Sequence, residues 1–191
     1  MAIIDTLRAL VDWKCNLSCS YCCNEIARFR EQIKSVAFTD IDWQKYPTVC
    51  ISGGEPLLFP DRIARVCRAA PNAFKILYTN GTLLNQGAIQ HLRFWQVNAI
   101  NVGLHEPKSF NILIERIRKL AIESPIDVRF HMRDIYRPMA EKWIPLGVQF
   151  RYWKMNDCDR ANEDRVVITD WNDSEESCHQ ESTTQSALRI M

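Results

Sequence analysis

Short apolar or β-branched runs that end on glycine-bearing turns, separated by stretches of helical periodicity, constrain this chain more than any other feature. Thr48–Ser52 stops at Gly53-Gly54 and Phe74–Thr79 stops at Asn80-Gly81, the punctuation expected where a strand meets a turn. Leu7–Trp13, Asn98–Leu104, Ile126–Met132 and Val148–Tyr152 read as further strands. Between them, Ile26, Phe29 and Ile33 recur at helical spacing and predict a helix over 23–36. Arg62–Ala70, between Pro60 and Pro71, reads as a second helix, and Leu83–Trp95 as a third. Pro107 opens an amphipathic fourth with Phe110, Leu113, Ile114, Ile117 and Ala121 on one face. Trp143 and two prolines lie in the short segment before the last strand.

Six strand–helix repeats in about 150 residues imply parallel strands joined by helical crossovers. A complete eight-stranded barrel takes about 250 residues, so the expectation is an α/β fold, an incomplete (β/α)6 TIM-type barrel over residues 1–155. Residues 156–191 form a short C-terminal extension of different composition. From Val166 to Leu188 it has no Lys or Arg, while Asp170, Asp173, Glu175, Glu176 and Glu181 are acidic. One short strand is expected there, at Val166–Thr169.

Chemistry concentrates directly after the first strand. Of eight cysteines, four fall between positions 15 and 23. The N-terminal stretch is broken by Asp5 and Arg8, and no apolar run is long enough to span a bilayer. The expected compartment is therefore the cytoplasm, where clustered thiols point to metal or redox chemistry. A net charge of +1 gives no global attraction to nucleic acid or membrane. Cys15, Cys19 and Cys22 have the spacing C-x3-C-x2-C on one loop. Three thiolates on a four-iron cubane leave one iron open for a ligand, and an open position distinguishes reactive metal centres from structural ones. A zinc site would instead want a fourth ligand such as Cys23, Cys158 or Cys178. Cys50 and Cys67, in apolar surroundings, read as small core residues.

The segment Cys15-Asn-Leu-Ser-Cys19-Ser-Tyr21-Cys22, followed by Gly53-Gly54-Glu55-Pro56 after the second strand and Thr79-Asn80-Gly81 after the third, resembles the radical S-adenosylmethionine (SAM) superfamily. The resemblance covers residues 7 to about 155. It implies a [4Fe–4S] cluster on Cys15, Cys19 and Cys22, and SAM held by Tyr21, Gly53, Gly54, Glu55, Pro56, Thr79 and Asn80. In this picture the glycines and Glu55 meet the methionine ammonium group. It also implies reductive cleavage of SAM to a 5′-deoxyadenosyl radical, fed by a reducing partner such as flavodoxin or ferredoxin. On the fourth strand many members carry Asn-Val-Ser-Leu-Asp, whereas this chain reads Asn101-Val102-Gly103-Leu104-His105. An imidazole thus stands in for a carboxylate, and His105 joins the candidate cofactor contacts.

Strand alternation adds an inference from the residues alone. Val128, Phe130 and Met132 fall on one face of the fifth strand, and Arg129, His131 and Arg133 on the other. On the sixth, Gln149 and Arg151 oppose Val148, Phe150 and Tyr152. The polar sets should line the interior with His105. Arg129 is a candidate for the SAM carboxylate, and His105, His131, Arg133 and Arg151 are the catalytic or substrate candidates. Unpaired interior arginines call for an anionic partner, either a carboxylate- or phosphate-bearing substrate or protein acids such as Asp12, Glu55, Glu106 or Asp134. The expected substrate is an anionic small molecule, a nucleoside, nucleotide or modified nucleic-acid base. A glycyl-radical activase and a peptide-modifying enzyme are the alternatives within the class, and a non-catalytic iron–sulfur or zinc protein the alternative outside it.

Overall fold

In the computed structural model, residues 4–122, 124, 126–154 and 163–171 are described. Cys158, Cys178 and the tail from position 172 lie outside them, as does the side chain of Cys23. The strands are β1 (Thr6–Leu10), β2 (Lys34–Val36), β3 (Thr48–Ser52), β4 (Phe74–Thr79), β5 (Ala99–Leu104), β6 (Asp127–Arg133), β7 (Gln149–Trp153) and β8 (Glu163–Ile168). The α-helices are α1 (Ala27–Arg30), α2 (Pro60–Ala69), α3 (Gln86–Phe94), α4 (Phe110–Ile122) and α5 (Arg137–Ala140).

All the pairings are parallel, in the order β2-β8-β1-β3-β4-β5-β6-β7. The six strands expected from the sequence are adjacent in chain order, as short right-handed crossovers dictate. The sheet is an open partial barrel, with no pairing between β7 and β2 among the described residues. Two strands extend it beyond β1. The tail strand begins at Glu163, three residues before its expected start, and lies directly against β1.

The helix expected over 23–36 is not formed. A 3-10 turn at Cys23–Glu25 and the four-residue α1 take up its first part, and the chain then extends into β2. Three apolar positions were the whole helical signal. Phe29 buries its ring, but Ile26 is extended (φ −82°, ψ 114°). Pairing Val36 with Ile168 outweighs a weak local propensity.

One face of the sheet packs under the helices. Leu7, Ala9, Val49, Ile51, Leu77, Ile100, Val102, Phe130 and Met132 are all buried in one core. Phe110, Ile114 and Ile117 of α4 pack into the same core, each worth about 1.5–3 kcal/mol in burial. Asn85 caps α3 by accepting a bond from the Ala88 amide at 2.9 Å. Lys75 breaks the apolar pattern of this face, and its buried Nζ donates to the carbonyls of Ala70, Pro71 and Ala73.

The alternate residues form the concave inner wall. There β8 delivers a carboxylate that the sequence reading did not place. Arg8 grips Glu163 in bidentate fashion at 2.7 and 3.1 Å, and Arg165 Nε donates to the same carboxylate at 3.0 Å. The Arg8 guanidinium also lies 4.2 Å over the ring of Tyr78. Burial alone would raise the Glu163 carboxyl, but the two arginines outweigh it and hold it below its usual range. A carboxyl depressed on folding stabilises the protein above its unfolded pKa, about 4.3, and loses that contribution as pH falls through the lower folded value. Glu163→Gln removes the carboxylate that Arg8 and Arg165 share. It should cost about 3–5 kcal/mol in urea unfolding at pH 7, and the gap from wild type should shrink as the pH drops below about 4.

Candidate active site

Parallel strands bring all their C-terminal ends to one mouth, where ligands of α/β sheets bind. The three sequence motifs meet there. After β1 the chain runs beside the turn that follows β3. The Val11 amide donates to the Ser52 carbonyl at 3.0 Å, Gly54 to Asp12 at 2.8 Å and Glu55 to Lys14 at 2.9 Å. This zipper requires both glycines. A Cβ on Gly53 (φ +135°) would sit 2.3 Å from the Asp12 carbonyl oxygen, and one on Gly54 2.1 Å from that of Lys14. The glycines thus serve the approach of two backbones, and they fix where the cysteine loop starts.

Glu55 is 1% exposed. Its Oε1 accepts from the Leu57 amide at 3.1 Å and the Thr79 hydroxyl at 2.7 Å, while Oε2 accepts from the Asn80 amide at 2.7 Å. Burial raises its carboxyl, and these donors pull against that rise. The carboxylate expected to meet an ammonium is therefore engaged by protein donors. Through these bonds Glu55 joins the second motif to the third. Pro56 is buried and starts the 3-10 turn that follows.

Asn80 carries the connection back to the cysteines. Its Nδ2 donates to Asn16 Oδ1 at 2.8 Å and lies 3.8 Å from Cys15 Sγ, and its Oδ1 accepts from the Thr82 amide at 2.9 Å. Asn16 Nδ2 donates in turn to the Thr82 hydroxyl at 2.8 Å. On the other side of the loop, Asn24 Nδ2 donates to the Gly53 carbonyl at 2.7 Å. Arg62 reaches both the Val11 carbonyl and the Asp12 carboxylate. Sequence reasoning missed Asn16, Asn24, Thr82 and the Asp12–Arg62 pair, because their partners are distant in the chain.

At the mouth Cys15 is exposed, and Cys19 and Cys22 are half-buried. No group of three or more His, Cys, Asp or Glu side chains converges on one point among the described residues. A cubane asks for something different, since each cysteine meets a different iron. Three soft thiolate donors on one loop beside a polar anchor suit such a cluster. Cys50 and Cys67 are buried, and burial pushes the Cys67 thiol up to about 12, leaving it an inert core residue.

Tyr21 leans across the mouth to the ends of β5, β6 and β7. Its hydroxyl donates to the His105 carbonyl, and burial pushes its phenol up to about 12, so the donor proton is retained. Its ring stacks on His105 at 6.0 Å, lies 6.1 Å from Trp153 and carries the Arg133 guanidinium at 4.8 Å. Trp153, unassigned in the sequence reading, joins this cluster as the last inward residue of β7.

The two departures on β5 compensate one another. A Cβ on Gly103 would stand 2.4 Å from His105 Nε2. The imidazole therefore occupies the space that a serine at position 103 would fill. Burial lowers the His105 pKa, which keeps the ring neutral, and its buried Nδ1 has no hydrogen-bond partner.

The inner wall follows the expected alternation. Arg129, His131 and Arg133 pair in register with Gln149, Arg151 and Trp153, while Phe130 and Met132 are buried beneath the helices. His131 meets Tyr78 edge-on at 5.6 Å. The charges are settled unevenly. Arg129 pairs with Asp127, not with any of the four acids the sequence offered. Asp12 goes to Arg62, Asp134 to Arg137 and Glu55 to its own donors. Among the described residues Arg133 and Arg151 have no carboxylate within ion-pair reach.

An open, parallel α/β barrel whose cysteine loop is tied to glycine-rich strand ends defines a class of cofactor-dependent enzymes. The family model described as the radical SAM superfamily matches residues 14–128, and the chain belongs to that superfamily. It is 41% identical over 73 residues to a 7-carboxy-7-deazaguanine synthase of Methanospirillum hungatei, a match covering 36% of this chain and 31% of that protein. A protein of the same name from Methanothermobacter thermautotrophicus is 34% identical over 101 residues, 48% of this chain and 40% of that one. Among solved structures, anSMEcpe with bound AdoMet superposes with a TM-score of 0.57 at 16% identity, covering 80% of this chain and 51% of that chain. The chain thus spans about half of that structure and matches less than half of each synthase.

The backbone zipper gives a direct test. Gly54→Ala forces a Cβ against a carbonyl that cannot swing away, so the loop must shift. The variant should lose at least half of its iron on anaerobic reconstitution and melt several degrees lower than wild type. Equal iron content and melting temperature would show that the close approach is dispensable.

Proposed function

We propose that this enzyme uses SAM at a [4Fe–4S] cluster to modify an anionic substrate of the nucleobase or nucleotide type. The observation that carries the substrate class is the pair of inner-wall guanidinium groups, Arg133 and Arg151, that no carboxylate among the described residues neutralises. Guanidinium forks suit carboxylate or phosphate oxygens, and Arg133, half-buried, and Arg151, exposed on the edge strand β7, are open to such a ligand. The two partial matches to proteins named for a carboxylated deazaguanine support the same class.

Cys15, Cys19 and Cys22 would hold the cluster, with Asn80 and Asn16 steadying the loop beside Cys15. Gly53, Gly54 and the strand ends at Thr79 and Asn80 would border the methionine half of SAM. Tyr21, His105 and Arg129 would border the rest. When bound, the cluster and SAM supply reductive cleavage to a 5′-deoxyadenosyl radical that takes a hydrogen atom from the substrate. The chain's own contribution is positional. Tyr21 covers the mouth and excludes water, and Arg133 and Arg151 orient the substrate's negative group. A reducing partner of the flavodoxin or ferredoxin kind would supply electrons at the exposed side of the loop, where Cys15 is exposed. No helix among the described residues is long and apolar enough to cross a membrane, and the cytoplasm is the compartment this chemistry suits.

Anaerobic protein reconstituted with iron and sulfide, then given dithionite and SAM, should yield 5′-deoxyadenosine by chromatography. Cys19→Ala should reduce the yield at least about a hundredfold. Zinc without iron in the purified protein, together with no deoxyadenosine, would sink the proposal and return the cysteines to a structural role.

A further inference from the structure

Among the described residues, Asn101 is the best-buried polar residue of the inner wall whose bonding is incomplete. It is 4% exposed and its Oδ1 has no hydrogen-bond partner. Its direction is fixed by its neighbours, since Ile100 and Val102 pack in the helix-covered core and alternation turns residue 101 inward. In register it lies between Tyr78 of β4 and Arg129 of β6. One step nearer the mouth, the row Gly103, His131 and Arg151 runs across β5, β6 and β7. The imidazole of His105 folds back over Gly103 and brings a second unpartnered buried atom, Nδ1, to the same strand. Buried polar atoms are almost always paired, by protein, water or ligand. An amide oxygen can only accept, so what completes Asn101 must donate.

We propose that Asn101 is a specificity residue that accepts an N–H or O–H of the substrate, while Arg151 binds its negative group. The substrate class is then a compact ring compound with a donor on one edge and a carboxylate on another. The wall sets the scale. Asn101 and Arg151 are two strands apart and one inward step apart, about 12 Å between Cα atoms along the sheet from strand spacing and rise. A long arginine side chain shortens that gap to the size of one fused ring system. A ligand with the carboxylate but no donor would leave the Asn101 oxygen unsatisfied, which sites of this kind reject. This inference rests on reading the mouth as the reaction site, and it adds what the ligand's second edge must be.

The test is isothermal titration of the anaerobic, cluster-reconstituted protein with SAM present, using three probes. These are 7-carboxy-7-deazaguanine, which has donors and a carboxylate, 7-deazaguanine, which lacks the carboxylate, and 2-naphthoate, which lacks the donors. Wild type should bind 7-carboxy-7-deazaguanine at least about tenfold more tightly than either of the others. Asn101→Leu should erase the advantage over 2-naphthoate, and Arg151→Met the advantage over 7-deazaguanine. Because Asn101→Leu removes an unpaired buried polar group, its melting temperature should equal or exceed that of wild type. Asn101→Ala gives the same comparison without added bulk. Equal binding of the probes by wild type, discrimination that survives Asn101→Leu and Asn101→Ala, or a large loss of stability in both variants would overturn the proposal. Deoxyadenosine formation is scored separately. Its absence beside intact probe discrimination counts against the radical chemistry alone, and its presence without discrimination counts against the role of Asn101 alone.

Discussion

The buried carboxylate of Glu55 holds the mouth of this barrel together. Burying it is unfavourable unless its lone pairs are met, and an amide two residues on, a hydroxyl on β4 and an amide at the end of β4 meet them. Those bonds lock the turn after β3 to the turn after β4. The first turn carries the glycines that zip onto Asp12 and Lys14, and the second carries Asn80, which reaches the cysteine loop. A loop of three cysteines has no fold of its own, so its shape is borrowed from two strand ends joined through one side chain.

Below the mouth, the inner wall divides its charges by depth. Near the bottom, Arg8 and Arg165 share Glu163, and Arg129 has Asp127. Nearer the top, Arg151 and Arg133 have aromatic or solvent neighbours but no acid. A buried ion pair contributes little net stability compared with an apolar wall, yet breaking one is expensive. The buried set of Arg8, Arg165 and Glu163 therefore reads as structure, whereas the anion site proposed at Arg133 and Arg151 lies in the more open part of the wall. The neutral imidazole of His105, seated in the space that Gly103 leaves, separates Tyr21 above from Asn101 below.

Much of this was legible in one dimension. The β/α alternation, the order of six strands and the inward face of β6 and β7 follow from periodicity and turn residues, because both reflect local backbone geometry. The helix expected over 23–36 failed for a related reason. Its evidence was a three-residue pattern, and the pairing of Val36 with Ile168 comes from a strand more than a hundred residues away. Lys75 on the core face was equally unreadable, since three backbone carbonyls from a neighbouring loop make its burial tolerable.

The sequence by itself determined the class of chemistry, because the thiols, the paired glycines and Thr79-Asn80-Gly81 recur at strand ends where their residue types and spacing already specify what they can bind. Only the tertiary structure decided which distant groups these residues meet. Glu55 turned out to be held by protein donors, Gly103 and His105 to be one steric unit, and Arg133 and Arg151 to be inner-wall arginines with no carboxylate in reach among the described residues. The reason is physical. Spacing along a chain fixes local geometry, whereas hydrogen-bond and ion-pair partners are settled by whatever distant segment the fold brings within about 3 Å.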